Sequence, residues 1–226
     1  AWAWANPLLD LDSLMLQRGA VNAVLAAAGG ALLPLAYTWF ATGRPDPAMA
    51  AKGLAAGAIV AAAVGPFTPP WAALALGTCA GLLVPLLTYL VMEVLHVADD
   101  SGVVPTHVAG AVIGLLGIGL LADGLTGAGW NRVGPQAYLG AAGQGVTGLL
   151  AASGLQPDWP GQMQAQAIGL AALLLMPLLA GALLLGPLAA IVAGLRRAAV
   201  AQPVAPLAEA PASMLVDSAS SEPPSV

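Results

Sequence analysis

Apolar and polar residues alternate along this chain in long blocks. Five blocks are almost entirely apolar, and each is long enough to cross a lipid bilayer as a helix with some tilt, which takes about 20 residues. Short polar segments rich in Pro and Gly separate the blocks and predict turns between antiparallel helices. The five predicted spans are Ala20–Ala41, Met49–Pro66, Trp71–Val97, Val104–Ala122 and Met163–Leu195.

The blocks predict helices rather than barrel strands. Backbone amides in lipid must be bonded within the protein, and the runs are too long and too rich in Ala, Leu and Gly for strands. We therefore expect an all-α integral membrane protein, a bundle of about five spanning helices. Pairs of glycines four residues apart predict close helix contacts. These glycines are Gly53 and Gly57, Gly77 and Gly81, and Gly110 and Gly114.

Composition supports a membrane protein. Of the 226 residues, 59% are hydrophobic and 8% are charged, and the mean hydropathy is +0.85, which excludes a water-exposed surface of ordinary composition. Six Lys and Arg against eleven Asp and Glu leave no basic surface for nucleic acid. Cys79 is the single cysteine, which excludes an internal disulfide.

The pattern predicts three regions. Residues 1–19 form an N-terminal interfacial segment, and residues 20–200 form the transmembrane domain. This domain includes a Gly-rich extramembrane connection at residues 124–160. Residues 201–226 form an acidic tail of Pro, Ala and Ser, a composition that does not fold alone. Because such a tail becomes ordered only when something holds it, we expect other membrane subunits as partners, besides the lipid bilayer.

Basic residues at the helix ends predict the orientation. With a cytoplasmic C-terminus, alternation of the five spans places four basic residues inside and two outside. The inside residues are Arg44, Lys52, Arg196 and Arg197, and the outside residues are Arg18 and Arg132.

His107 is the main candidate for chemistry inside a span. A neutral imidazole offers one donor and one acceptor and can exchange a proton near neutral pH, which suits a small polar substrate in a narrow pore. The alternative is that His107 bonds a neighbouring helix and serves packing. A third possibility is that His107 or His96 is the axial ligand of a chlorin or haem.

A second polar cluster comprises Glu93, His96, Asp99 and Asp100, where the third span meets the predicted cytoplasmic interface. Carboxylates there can cap the N-terminus of the next helix and remain hydrated. Their spacing matches no recognised metal-ligand set, so we predict no metal site. The chain also contains no nucleophile elbow, phosphate loop or paired-carboxylate site, so we do not expect an enzyme.

The stretch from Asn22 to Asp123 resembles the ammonium transporter (Amt/Rh) family. The segments NAVLAAAGGAL, GRPDPAMAAKGLAAGAIV and PFTPPWAALALGTCAGLL are similar to successive family helices and loops. The most specific match is DDSGVVPTHVAGAVIGLLGIGLL, which resembles an Asp-Asp loop followed by a His-Gly helix. Fainter similarity continues through GVTGLLAASG to residues 161–167.

The resemblance implies a fold of eleven helices, ten of them in two inverted repeats, assembled as trimers with one pore per subunit. It implies that this chain supplies helices seven to eleven and that His107 is the second pore histidine. The first repeat, with its pore histidine and outer ammonium site, has no counterpart here. The gate positions fall on Ala5 and Leu9, and Ala109 departs from the family's usual Gly.

These observations leave three functions open. The first is a truncated ammonium transporter that cannot conduct alone and acts with a complementary half, in which case ammonium or ammonia passes His107. The second is a non-transporting structural or assembly subunit of a larger membrane complex. The third is a pigment- or haem-binding subunit, which an absorption spectrum would reveal.

Overall fold

The computed structural model describes residues 13–126 and 144–200, and within these ranges the structure is helical. Five helices are long and apolar enough to cross a membrane, as the sequence predicted. One isolated antiparallel bridge joins Asp123 to Thr147. The helices are α1 (Ser13–Thr42), α2 (Pro47–Val64), α3 (Pro70–Tyr89), α4 (Val103–Leu121) and α5 (Gly161–Val200).

Helix α1 begins at Ser13, earlier than the predicted start at Ala20. The polar residues Gln17 and Arg18 did not suggest a helix in a membrane protein, but Arg18 pairs with the carboxylate of Asp123, just after α4, and is neutralised there. The end of the third span also differs from expectation. After Tyr89 the helix continues as a π-helical turn, Leu90–Val94, which ends before the predicted Val97.

Local sequence explains where the helices start. The Asp46 carboxylate accepts a hydrogen bond of 2.8 Å from Ala48 N, and Pro47 opens α2. Pro70 likewise opens α3, which has Pro69 before it and no side-chain cap. Proline fits the first helical turn because the N–H that it lacks would have no partner within the helix.

Glycines allow α1 to lie directly against α2 and α3. A methyl group added at Gly57 or at Gly77 would come within 3.0 Å of backbone atoms of Ala26. At Gly53 and Gly81 the obstruction is the backbone of Gly30. Small residues thus bring the helix backbones together where lipid provides no hydrophobic drive for association.

The described chain divides into two compact units, one ending at Leu175 and the other beginning at Met176. In the first unit a buried apolar cluster runs between α2, α3 and α4 and reaches the turn after α2. The second unit is the remainder of α5. The buried cluster consists of Ala56, Val60, Val64, Phe67, Leu76, Ala80, Val84, Ala109, Ile118 and Ala122.

Candidate functional site

His107 lies in the second turn of α4, and its side chain is exposed on the surface of the described chain. By helical rise it is about 6 Å along the axis from the first residue of α4. Val103 and Val104, one turn earlier, are 53% and 44% exposed, so His107 sits on an uncovered apolar surface. A polar ring on such a surface is unfavourable in hydrocarbon unless a polar partner or water faces it.

One hydrogen bond defines how His107 presents its ring. Its Nδ1 atom is 2.9 Å from the carbonyl oxygen of Val103. Because a carbonyl can only accept, this bond requires a proton on Nδ1. In the neutral ring Nε2 then carries a lone pair, so the exposed nitrogen can accept a hydrogen bond or a proton.

Asp99 caps α4, the helix that carries His107. Its carboxylate accepts hydrogen bonds from Val103 N (3.2 Å) and Val104 N (2.8 Å), and the Ser101 hydroxyl donates to it at 2.9 Å. The bond from Val104 is the largest influence and lowers the pKa of Asp99 below its ordinary value of 3.8. The negative charge of this carboxylate at the N-terminus of α4 also interacts favourably with the helix dipole.

The other members of the predicted polar cluster, Glu93, His96 and Asp100, are all exposed. Glu93 is exposed on the π-helical turn, and Asp100 is exposed in the loop. His96 is exposed, has a φ of 54°, and its Nδ1 lies 3.1 Å from Val94 O. Within residues 13–126 and 144–200, no three His, Cys, Asp or Glu side chains form a group that could hold a metal ion.

Sequence reasoning missed a buried polar cluster at the opposite end of α4. We call this region the Arg18 end, defined by Arg18, Asn22, Thr68, Asp123 and Thr126. Arg18 forms a two-point ion pair with Asp123, with Nη1 at 3.3 Å from Oδ1 and Nη2 bonded to Oδ2. The two side chains are 14% and 9% exposed. The pair therefore joins the first turns of α1 to the segment just after α4, with little exposure to water.

The turn between α2 and α3 completes the Arg18 end. The Thr68 carbonyl oxygen accepts from Arg18 Nε at 2.9 Å and from Asn22 Nδ2 at 2.8 Å. Asn22 Nδ2 also donates to Gly65 O at 2.7 Å, and the Thr126 hydroxyl donates to Pro66 O. The signal for this cluster was an Arg and an Asn one turn apart on α1, but their partners are distant in sequence.

The connection after α4 packs over the same end. The side chain of Gln144, 1% exposed, donates to Gln156 O at 2.7 Å and accepts from Gln156 N at 2.9 Å. Ala152 N donates to Asp123 O at 2.9 Å. The described residues of the connection predicted at 124–160, namely 124–126 and 144–160, thus form a folded segment.

The helices and their order define an α-helical, multi-pass integral membrane protein. The family model described as Ammonium Transporter Family matches residues 6–205. The chain therefore belongs to the ammonium transporter family. Helices α1 to α5 lie within the matched residues.

Individual relatives agree with this assignment. The chain is 33% identical to "Ammonium transporter Amt2" of Archaeoglobus fulgidus over 123 residues, which cover 54% of this chain and 26% of the relative. It is 31% identical to "Putative ammonium transporter 2" of Caenorhabditis elegans over 99 residues, covering 44% and 19% of the two chains. The matched region is thus about a quarter or less of each relative's length.

Two solved structures share the fold. "Sensor Amt Protein" aligns with a TM-score of 0.53 at 19% identity and covers 71% of this chain and 33% of its own. Mep2 of Saccharomyces cerevisiae aligns with a TM-score of 0.51 at 22% identity and covers 71% and 32%. The chain spans about a third of the length of these structures.

Proposed function

We propose that this chain forms one half of an ammonium-conducting pore and corresponds to the C-terminal five helices of the family fold. The five helices of the described residues would supply one side of the path, and a complementary set of helices would face α4. Inverted-repeat transporters place their substrate path between the repeats, which fits a chain that presents half of a site.

The observation that carries this proposal is the exposure of His107. Its ring lies on an apolar surface within a span, and its Nδ1 bond to Val103 O leaves Nε2 available. Burying this surface against lipid would leave Nε2 without a partner, whereas a polar path would provide one. Nε2 can then accept a hydrogen bond from ammonia or ammonium that passes between the two halves.

The positions of Arg44 and Lys52 support a cytoplasmic C-terminus. Both lie near the start of α2. The Lys52 side chain lies beside Gly102, in the loop before α4 that contains Asp99. Arg18, which counted toward the opposite side, is paired with Asp123. A C-terminal green fluorescent protein fusion should fluoresce in the cytoplasm, whereas a C-terminal alkaline phosphatase fusion should be inactive.

The test of conduction begins with the native assembly in lipid nanodiscs, with intact-mass analysis of every chain. The same assembly in vesicles should conduct ammonium, and His107→Ala should reduce the rate at least tenfold. His96→Ala is the matched control, because His96 is exposed in the loop outside the spans, and it should leave the rate unchanged.

Two results would support a function other than ammonium conduction. If the intact assembly contains only unrelated membrane subunits and conducts no ammonium, the chain is a structural or assembly subunit. If the purified assembly absorbs as a chlorin or haem and His107→Ala or His96→Ala removes that absorption, the histidine is an axial ligand. Unchanged transport in His107→Ala would remove this residue from the path.

A further inference from the structure

The two polar atoms of the Asn22 side chain differ: Nδ2 is hydrogen-bonded and Oδ1 is not. The residue is 0% exposed, and its Nδ2 group donates to Gly65 O at 2.7 Å and Thr68 O at 2.8 Å. Its Oδ1 atom is buried and accepts no hydrogen bond from the described residues. Buried amide oxygens in proteins are almost always paired with protein or with ordered water.

The orientation of the Asn22 amide is fixed by its neighbours. Exchanging Oδ1 and Nδ2 would place the oxygen against two carbonyl oxygens, Gly65 O and Thr68 O, which can only accept. That arrangement would lose two hydrogen bonds and set like partial charges together. The atom without a hydrogen bond is therefore Oδ1, and it requires a donor.

Nearby protein donors already have partners. In the turn after α2, Gly65 N donates to Ala61 O, and Phe67 N and Thr68 N both donate to Val64 O. Pro66 and Pro69 have no N–H. The Thr68 hydroxyl donates to Val64 O at 3.2 Å, and the Thr126 hydroxyl donates to Pro66 O.

The surroundings also limit the charge of a ligand. Arg18 lies one turn before Asn22 on α1 and uses the Asp123 carboxylate, so that carboxylate is not free to balance a second cation. Asp123 already neutralises Arg18, and an anion without a hydrogen atom cannot donate to an amide oxygen. A small neutral donor fits both conditions.

We propose that Asn22 Oδ1 binds a small neutral hydrogen-bond donor, a water molecule held inside the Arg18 end. Such a molecule satisfies the amide oxygen and makes it part of the junction between α1, the α2–α3 turn and α4. This assignment concerns the Arg18 end and is independent of ammonium conduction past His107.

The first experiment is a structure of the native assembly in lipid nanodiscs, in ammonium-free buffer, at a resolution that shows ordered water. We expect separate density within about 3.2 Å of Asn22 Oδ1. The proposal would be wrong if Asn22 Oδ1 were bonded to a protein donor, or if no density appeared there while other buried waters were visible. Density that appears only with an ammonium salt would identify ammonia instead and overturn water.

A second measurement does not depend on resolved density. Asparagine occurs at positions 6, 22 and 131, so ¹³C labelling of asparagine together with valine gives few asparagine signals in solid-state NMR and also labels the reference side chains. Magnetisation transferred from water should reach the Asn22 Cγ faster than the side chains of Val60 and Val84, which are also 0% exposed. Equal transfer rates would contradict the proposal. Asn22→Leu, where it folds, should lose the density and keep the waters elsewhere.

Discussion

Glycines have different surroundings in the four-helix bundle of α1–α4 and in the helix α5. At Gly57 and Gly77 an added methyl group would meet the backbone of Ala26, because these glycines form helix contacts. At Gly169 and Gly181 on α5, no atom lies within 4 Å of the position of such a methyl group. A glycine in an apolar helix therefore does not by itself indicate a contact.

Charged residues show the same difference. Arg18 on α1 is enclosed and paired with Asp123, whereas Arg196 on α5 is exposed. None of the most apolar window of α5, within Gly161–Arg196, is buried by the described chain. These glycines and arginines are thus enclosed in the bundle and exposed or unobstructed on α5. Substitutions in the two regions test this comparison.

The largest effect is expected for Arg18→Met, which leaves Asp123 buried without its partner. Removing one member of a buried ion pair costs about 3–5 kcal/mol. The matched variant Arg196→Met on α5 should change stability by less than about 0.5 kcal/mol. Thermal unfolding in nanodiscs, monitored by tryptophan fluorescence, measures both. A similar loss in the two variants would contradict the distinction between the regions.

The second test uses glycine itself. Gly57→Ala should destabilise the protein by about 1–3 kcal/mol, because the methyl group displaces the backbone of α1. Gly181→Ala should have the opposite sign and stabilise by up to about 1 kcal/mol, because alanine favours a helix where space is open.

The same unfolding measurement compares these two variants. If Gly181→Ala destabilises as strongly as Gly57→Ala, α5 packs against another chain at that position, and the comparison between the regions fails.

The third test separates backbone strain from helix packing. Gly102 has a φ of +70° and Gly43 a φ of +73°, a conformation that costs other residues about 1–2 kcal/mol. Gly102→Ala and Gly43→Ala should both lower stability by that amount. The flexible end of Lys52 lies beside Gly102 and can move aside, so crowding adds little.

Gly102→Asn is the control for this strain, since asparagine tolerates the left-handed region better than alanine. Its melting temperature should fall between those of the wild type and Gly102→Ala. An Asn variant no better than the Ala variant would show that crowding, not backbone conformation, determines the cost.

The smallest effect is expected for Asp99→Ala, which removes the cap of α4. Because the folded pKa of Asp99 is lowered, its contribution is present above the ordinary pKa of 3.8 and is lost as pH falls through the folded value. Asp99→Ala should therefore lower the melting temperature slightly at pH 7, and the difference from the wild type should shrink below pH 4.

Asp100→Ala is the matched control, because Asp100 is the exposed neighbour in the same loop. It should melt like the wild type at both pH values. A difference between Asp99→Ala and the wild type that stays constant with pH would contradict capping by the ionised carboxylate.

The spanning helices could be predicted because apolar length is a local property of the sequence. Helices α2 and α4 begin within two residues of their predicted starts, near the Asp46 and Asp99 caps. The start of α1 could not be predicted, because Gln17 and Arg18 interrupt the apolar pattern and Arg18 becomes compatible with a membrane helix through Asp123.

The candidate site shows the same division. Its residue types and its resemblance to the family singled out His107, and the sequence placed it just inside α4. Only the packed structure decided that its ring is exposed and that Asp99 caps the same helix, while Glu93 and Asp100 take no part in that cap.

The sequence alone determined that this protein crosses the membrane as about five helices, since hydrophobic length and backbone hydrogen bonding leave few alternatives. Tertiary structure decided which glycines touch a neighbour and which polar residues meet. Arg18 and Asp123 are separated by 105 positions, and Asn22 and Gly65 by 43. Such contacts depend on how the helices pack, and no local pattern in the sequence encodes them.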